Sequence, residues 1–257
     1  ALSGFNGDGS FNYEVNLPWV ATAGISFRLG IDGISMLLVL LTNLLAPLIV
    51  YTSFSRNFEL ENRYYGLVLL MTAALNGVFM ALDGLLFYVF YELALIPIYF
   101  ICAIWGGENR IRITLKFFIY TFVGSLFMLV ALLAVYLKTP PSIVEGLPAA
   151  THSFAWENLV AVQLDASTAW WVMLGFFLAF AVKMPIFPFH TWQPDTYVTA
   201  PTGGTMLLSG TNTFTGALTI SAATVKLGAT NSLAALAPVV LGNGVTGTIR
   251  PTLDISA

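Results

Sequence analysis

The sequence predicts an all-α polytopic membrane protein with a short β-rich C-terminal tail. Three observations carry that prediction. The chain is 57% hydrophobic and only 9% charged, with a mean hydropathy of +0.81, whereas soluble domains carry about 25% charged residues. Five stretches reach the ~20 apolar residues that a hydrocarbon core about 30 Å thick requires of a helix. Aromatic residues mark their ends, at Tyr64, Tyr65, Trp105, Tyr136, Trp170 and Trp171, as interfacial belts do.

Taken in order, residues 1–32 begin polar and glycine-rich and read as an external N-terminal segment. No signal peptide is visible, and the chain reads as a fragment. Transmembrane helices are expected over 33–54, 64–82, 84–105, 114–137 and 169–189, within a membrane domain of 33–210. They must be helices, because backbone amides facing lipid have to be paired within their own segment. Asp83-Gly84 punctuates a tight reversal between the second and third. Pro185 and Pro188 break the fifth. The 138–168 connection, with Pro140-Pro141, reads as an external loop.

Orientation follows from the placement of Lys and Arg. Arg56, Arg63, Arg110, Arg112 and Lys116 fall in the 55–63 and 106–116 loops; the opposite face holds only Arg28 and Lys138. The first set faces the cytoplasm and the N-terminal stretch faces out. Beyond Gly210 the pattern changes. Thr211 to Gly228 alternates polar and apolar residues, the period of short strands, so 211–257 reads as a separate β-repeat-like tail.

Composition also excludes functions. A net charge of −3 without a basic stripe gives nothing to neutralise phosphates, so nucleic acid is not a partner. The single cysteine, Cys102, rules out a disulfide within one chain and reads as a small buried hydrophobe. His152 and His190 stand far apart with no carboxylate cluster, so no metal site is expected. No glycine-rich loop follows a strand, so no nucleotide site is expected either.

Two titratable residues stand inside apolar segments, where a charge costs a few kcal/mol or more and is a functional candidate. Lys183 lies in Ala179-Phe180-Ala181-Val182-Lys183-Met184-Pro185, and Glu92 in Tyr91-Glu92-Leu93-Ala94-Leu95-Ile96-Pro97. Pro185 and Pro188 have no N–H, which removes the helical donors of the Ala181 and Met184 carbonyls. Those carbonyls need water or protein, which favours a hydrated pocket at the lysine. The plainer reading is a structural kink with a lysine reaching for the interface. Opposite charges brought together offset one another's cost, so a Glu92–Lys183 distance that changes between states would move the lysine's hold on its proton. The plainer reading of the pair is a static ion pair. His190 ends the same segment and titrates near neutrality; it either relays protons to Lys183 or binds a free carbonyl.

Several blocks in the right order resemble the antiporter-like, proton-translocating subunits of respiratory complex I, chain M in bacteria and chain 4 in mitochondria. They are Gly30-Ile31-Asp32-Gly33-Ile34-Ser35, Tyr91 to Phe100, Leu115 to Thr121, Phe180 to Pro185, His190 to Asp195 and Ala200-Pro201-Thr202-Gly203-Gly204. The resemblance covers residues ~1–210 and places the family's acid on Glu92, its broken-helix lysine on Lys183 and the following histidine on His190. A further lysine of the family would fall on Phe214 and is absent. So are the family's first two helices and its second half-channel. The resemblance implies a multi-pass protein of the bacterial inner membrane, with the lipid bilayer and other membrane subunits of complex I as partners. It implies proton pumping driven by electron transfer elsewhere, with no bond chemistry here. NADH, FMN, iron–sulfur clusters and quinone would belong to the whole complex, leaving no cofactor in this chain. The fragment alone is expected to be inactive. A cation/proton antiporter or membrane-bound hydrogenase subunit shares the Glu and Lys blocks and stays open as an alternative. Residues ~208–257 resemble the passenger β-solenoid repeats of autotransporters, which implies a chimera, or an anchor for a surface passenger.

Overall fold

The computed structural model describes residues 10–54, 59–141, 150–211, 219–220 and 240–241. The chain divides into two compact units, Ala1–Thr213 and Phe214–Ala257. In the second, the described residues form two short parallel strands, β3 (Thr219–Ile220) and β4 (Val240–Leu241). The rest of the expected β-rich tail lies outside the described residues.

The first unit opens with an antiparallel hairpin, β1 (Asn12–Val20) and β2 (Ile25–Ile31), in which Val15 faces Leu29 and Asn16 faces Arg28. Gly24 turns it at φ +60°. A side chain there would collide with the His152 carbonyl, and the close approach lets the Phe154 N–H donate to the Gly24 carbonyl at 3.1 Å. Arg28, 4% exposed, pairs with Glu14 and, at 2.7 and 3.0 Å, with both oxygens of Glu157. Burial works against its charge, yet the two carboxylates outweigh burial and raise its pKa. The hairpin is thereby tied to the short helix that carries Glu157.

Among the described residues, five helices are long and apolar enough to cross a membrane. The first, α1 (Gly33–Ser53), starts at a capping box in which Asp32 accepts from the Ser35 N–H and Ser35 Oγ accepts from the Asp32 N–H. The next helix, α2 (Glu61–Met80), ends just before Asp83, the cap of α3 (Gly84–Leu93). The expected span 84–105 holds as one run of 22 residues, with a turn at Ala94 dividing α3 from α4 (Leu95–Trp105). Pro97 leaves the Leu93 carbonyl without a helical donor; an unbroken apolar run hid the effect. Helix α5 (Arg110–Tyr136) starts four residues before the expected 114, because the exposed Arg110 and Arg112 carry the helix past its apolar stretch.

The 138–168 connection contains a short helix, α6 (Trp156–Ala161). The fifth span, α7 (Ala166–Lys183), begins on the Asp165 cap and stops six residues before the expected 189. A 3₁₀ turn over Phe189–Trp192 leads into α8 (Gln193–Thr199) and α9 (Thr202–Thr211).

One apolar cluster gathers Tyr64, Met71, Ile98, Phe117 and Trp192, and another Tyr88, Met128, Leu132 and Phe154. Helices α5 and α7 pack closely where Gly124 meets Val182 and Gly175 meets Ala131. Small residues bring membrane helices together in this way. Leu37, Leu44, Leu69, Val130 and Trp171 stay exposed, as suits helices whose solvent is lipid.

Candidate functional site

Lys183 is the last residue of α7, and the chain beyond it explains why it can stay there. Met184 caps the helix at φ −87°, ψ 21°, outside the α region that a residue before proline avoids. The Ala181 carbonyl does not wait for water. The Ile186 N–H reaches back five residues and donates to it at 2.9 Å. That move takes the helical donor of Val182, and the indole N–H of Trp192 supplies the replacement at 2.9 Å. Protein groups therefore satisfy these two carbonyls, the protein alternative to water that the proline break allowed. Trp192 is 1% exposed and lies against the Phe117 ring at 5.1 Å.

The lysine head points to α3. Its Nζ stands 4.9 Å from the centre of the Tyr91 ring. Glu92, the next residue, is within electrostatic reach of Lys183. The two make no direct ion pair: among the described residues, ion pairs join Arg28 to Glu14 and Glu157, and Lys116 to Asp195. Glu92 Oε1 is buried without a hydrogen-bond partner. From α5, the Ser125 hydroxyl donates to the Phe122 carbonyl at 2.7 Å and stands beside both Glu92 and Tyr88. Tyr88 lies one helical turn before Glu92. Three helices thus bring two tyrosines, an acid, a hydroxyl and an amine into one apolar bundle.

His190 sits in the 3₁₀ turn, its Nδ1 buried without a partner and its ring 5.7 Å from that of Phe187. No described contact joins it to Lys183. Lys116, expected to serve orientation, also clips α5 to the segment after the break, reaching the Thr191 carbonyl at 2.7 Å and Asp195 at 3.0 Å. Gly203 and Gly204 pack closely against Tyr64 and Ile101. Cys102 is buried, 1% exposed. Among the described residues no group of three or more His, Cys, Asp or Glu side chains gathers.

Sequence reasoning passed over Tyr91, Ser125 and Trp192. Tyr91 could have been found as the aromatic neighbour of a buried acid, and Trp192 as an indole N–H just past carbonyls that prolines release. Ser125 carries no such mark, since membrane helices use serine freely.

A family described as NADH:quinone oxidoreductase/Mrp antiporter, transmembrane, matches residues 81–246. Subunit M of the F(420)H(2) dehydrogenase of Methanosarcina mazei is 41% identical over 199 residues, covering 76% of this chain and 39% of that protein. Subunit M of the Escherichia coli NADH-quinone oxidoreductase is 37% identical over 239 residues, 91% of this chain and 46% of that one. Among solved structures, a chain of respiratory complex I from Thermus thermophilus with bound NADH superposes with a TM-score of 0.66 at 37% identity, covering 80% of this chain and 42% of that chain. The chain thus spans less than half the length of these relatives. The family match runs past residue 210 to 246, and the comparisons lend the passenger-repeat resemblance of 208–257 no support.

Proposed function

The chain belongs to the NADH:quinone oxidoreductase/Mrp antiporter transmembrane family, and from that premise we propose that it is part of a proton-translocating membrane subunit of an NADH–quinone oxidoreductase. Protons cross by way of Glu92 and Lys183, driven by electron transfer in other subunits of the complex. The observation that carries this reading is the placement of Lys183 at a broken helix end, within electrostatic reach of Glu92 but not ion-paired with it. A fixed ion pair would hold both charges and move nothing. A pair held slightly apart in a low-dielectric bundle changes energy steeply with distance. In this reading His190, on the chain just beyond the break, feeds Lys183 from the cytoplasmic side.

The other membrane subunits of such a complex are the partners, and the bacterial inner membrane is the location. Replacing Glu92 with Gln in the full-length subunit, assembled in its complex, tests the reading. Proton pumping into vesicles should be lost while assembly persists; undiminished pumping would reject the pair. The family description also names antiporters, which favours a sodium/proton exchanger as second reading. Sodium-dependent proton movement in the same vesicles would select it.

A further inference from the structure

We propose that Tyr91 is a positioning residue whose ring face holds the Lys183 ammonium away from Glu92 until the carboxylate takes it. The inference rests on the Glu92–Lys183 reading and gives the lysine two stations on adjacent residues of α3. One is occupied, with Nζ 4.9 Å from the Tyr91 ring centre. The other is vacant: Glu92 Oε1 is buried and has no hydrogen-bond partner. Adjacent residues on a helix point about 100° apart, so the long lysine side chain passes between the two stations by changing rotamer, and α7 need not slide.

The ring suits a holding role for a physical reason. An ammonium among apolar side chains cannot stay without a partner. A carboxylate in contact would trap it, because the attraction of opposite charges is large where water is excluded. The negative face of an aromatic ring is an intermediate partner, weaker than a carboxylate and stronger than an aliphatic side chain. It keeps the charge in place and still lets it go. Ser125, beside Glu92, offers the acid a neutral neighbour while the lysine is away. The hydroxyl of Tyr91 has no part in this, so the ring alone should suffice.

The test uses the full-length subunit assembled in its complex, with assembly checked on native gels and proton pumping read in vesicles. Tyr91→Leu removes the ring and should lower the pumping rate roughly tenfold, from the strength of a desolvated cation–π contact. Tyr91→Phe, which keeps the ring, should restore most of it. Phenylalanines carrying one, two and three ring fluorines at position 91 drain the ring's negative face with little change of shape, and pumping should fall stepwise along the series. A flat series overturns the proposal, as does a Leu variant that pumps like the Phe variant. Should the Leu variant fail to assemble, the fluorinated series decides. Glu92→Gln, measured alongside, separates the two ideas: pumping that survives it defeats the parent reading. Pumping that it abolishes, beside a flat fluorine series, defeats the role of Tyr91 alone.

Discussion

Asp83 answers for three backbone amides. Oδ1 accepts from the Leu85 and Leu86 N–H groups at 3.0 and 3.1 Å, and Oδ2 accepts from the Ser26 N–H at 3.0 Å. One carboxylate thereby caps α3 and pins the hairpin to it. Asp83→Ala should cost about 1–3 kcal/mol, because buried amides lose their acceptor; Asp83→Asn keeps one carbonyl oxygen and should cost less. Thermal unfolding in detergent measures both. Acid should act on the caps with opposite signs. The Ser35 N–H and hydroxyl hold Asp32 below the ordinary carboxylate range, and the Thr168 hydroxyl and N–H do so for Asp165. Their contribution is complete above the unfolded value and is lost as pH falls through the folded one. Burial raises Asp83 despite its amide donors, so its ionisation weakens the fold as pH rises from the ordinary value through the raised one. Hydrogen exchange against pH should show acid loosening the first turns of α1 and α7, and sparing that of α3.

The helix ends, more than the helices, set the site. Trp192→Phe keeps a ring against Phe117 but orphans the Val182 carbonyl. It should cost about 1–3 kcal/mol and lower pumping by loosening the residue next to Lys183. Melting temperature and vesicle pumping check the two effects separately. This junction shows what the sequence could and could not reveal. Pro185 and Pro188 announced a break, because a missing N–H is a local property, and Glu92 and Lys183 stood out because charge among apolar residues needs a reason. The identity of the groups that repair the break depends on where the chain turns next, a tertiary fact. The turn at Ala94 was hidden for a related reason. Hydropathy sees the apolar run through Leu93, Ala94 and Leu95 but is blind to a proline acting on a carbonyl four residues earlier.

At the scale of the molecule, the outer hairpin and the bundle are joined through Arg28. Arg28→Met removes a buried cation that bridges β2 to Glu14 and Glu157, and should cost roughly 1–3 kcal/mol, since the carboxylates left behind are partly exposed. Proteolysis would then find the hairpin before the helices. We propose in addition that the unit Phe214–Ala257 is dispensable for insertion. A chain ending at Thr213 should show the same protease-protected segments in membranes, and their loss would join the tail to the fold. The contact of Gly124 with Val182 has a last consequence. Val182 is seated against the neighbouring backbone, so the residue after it hangs from a fixed anchor. If Lys183 carries protons as proposed, a four-carbon arm is all that swings, and the stroke is set by the reach of one side chain.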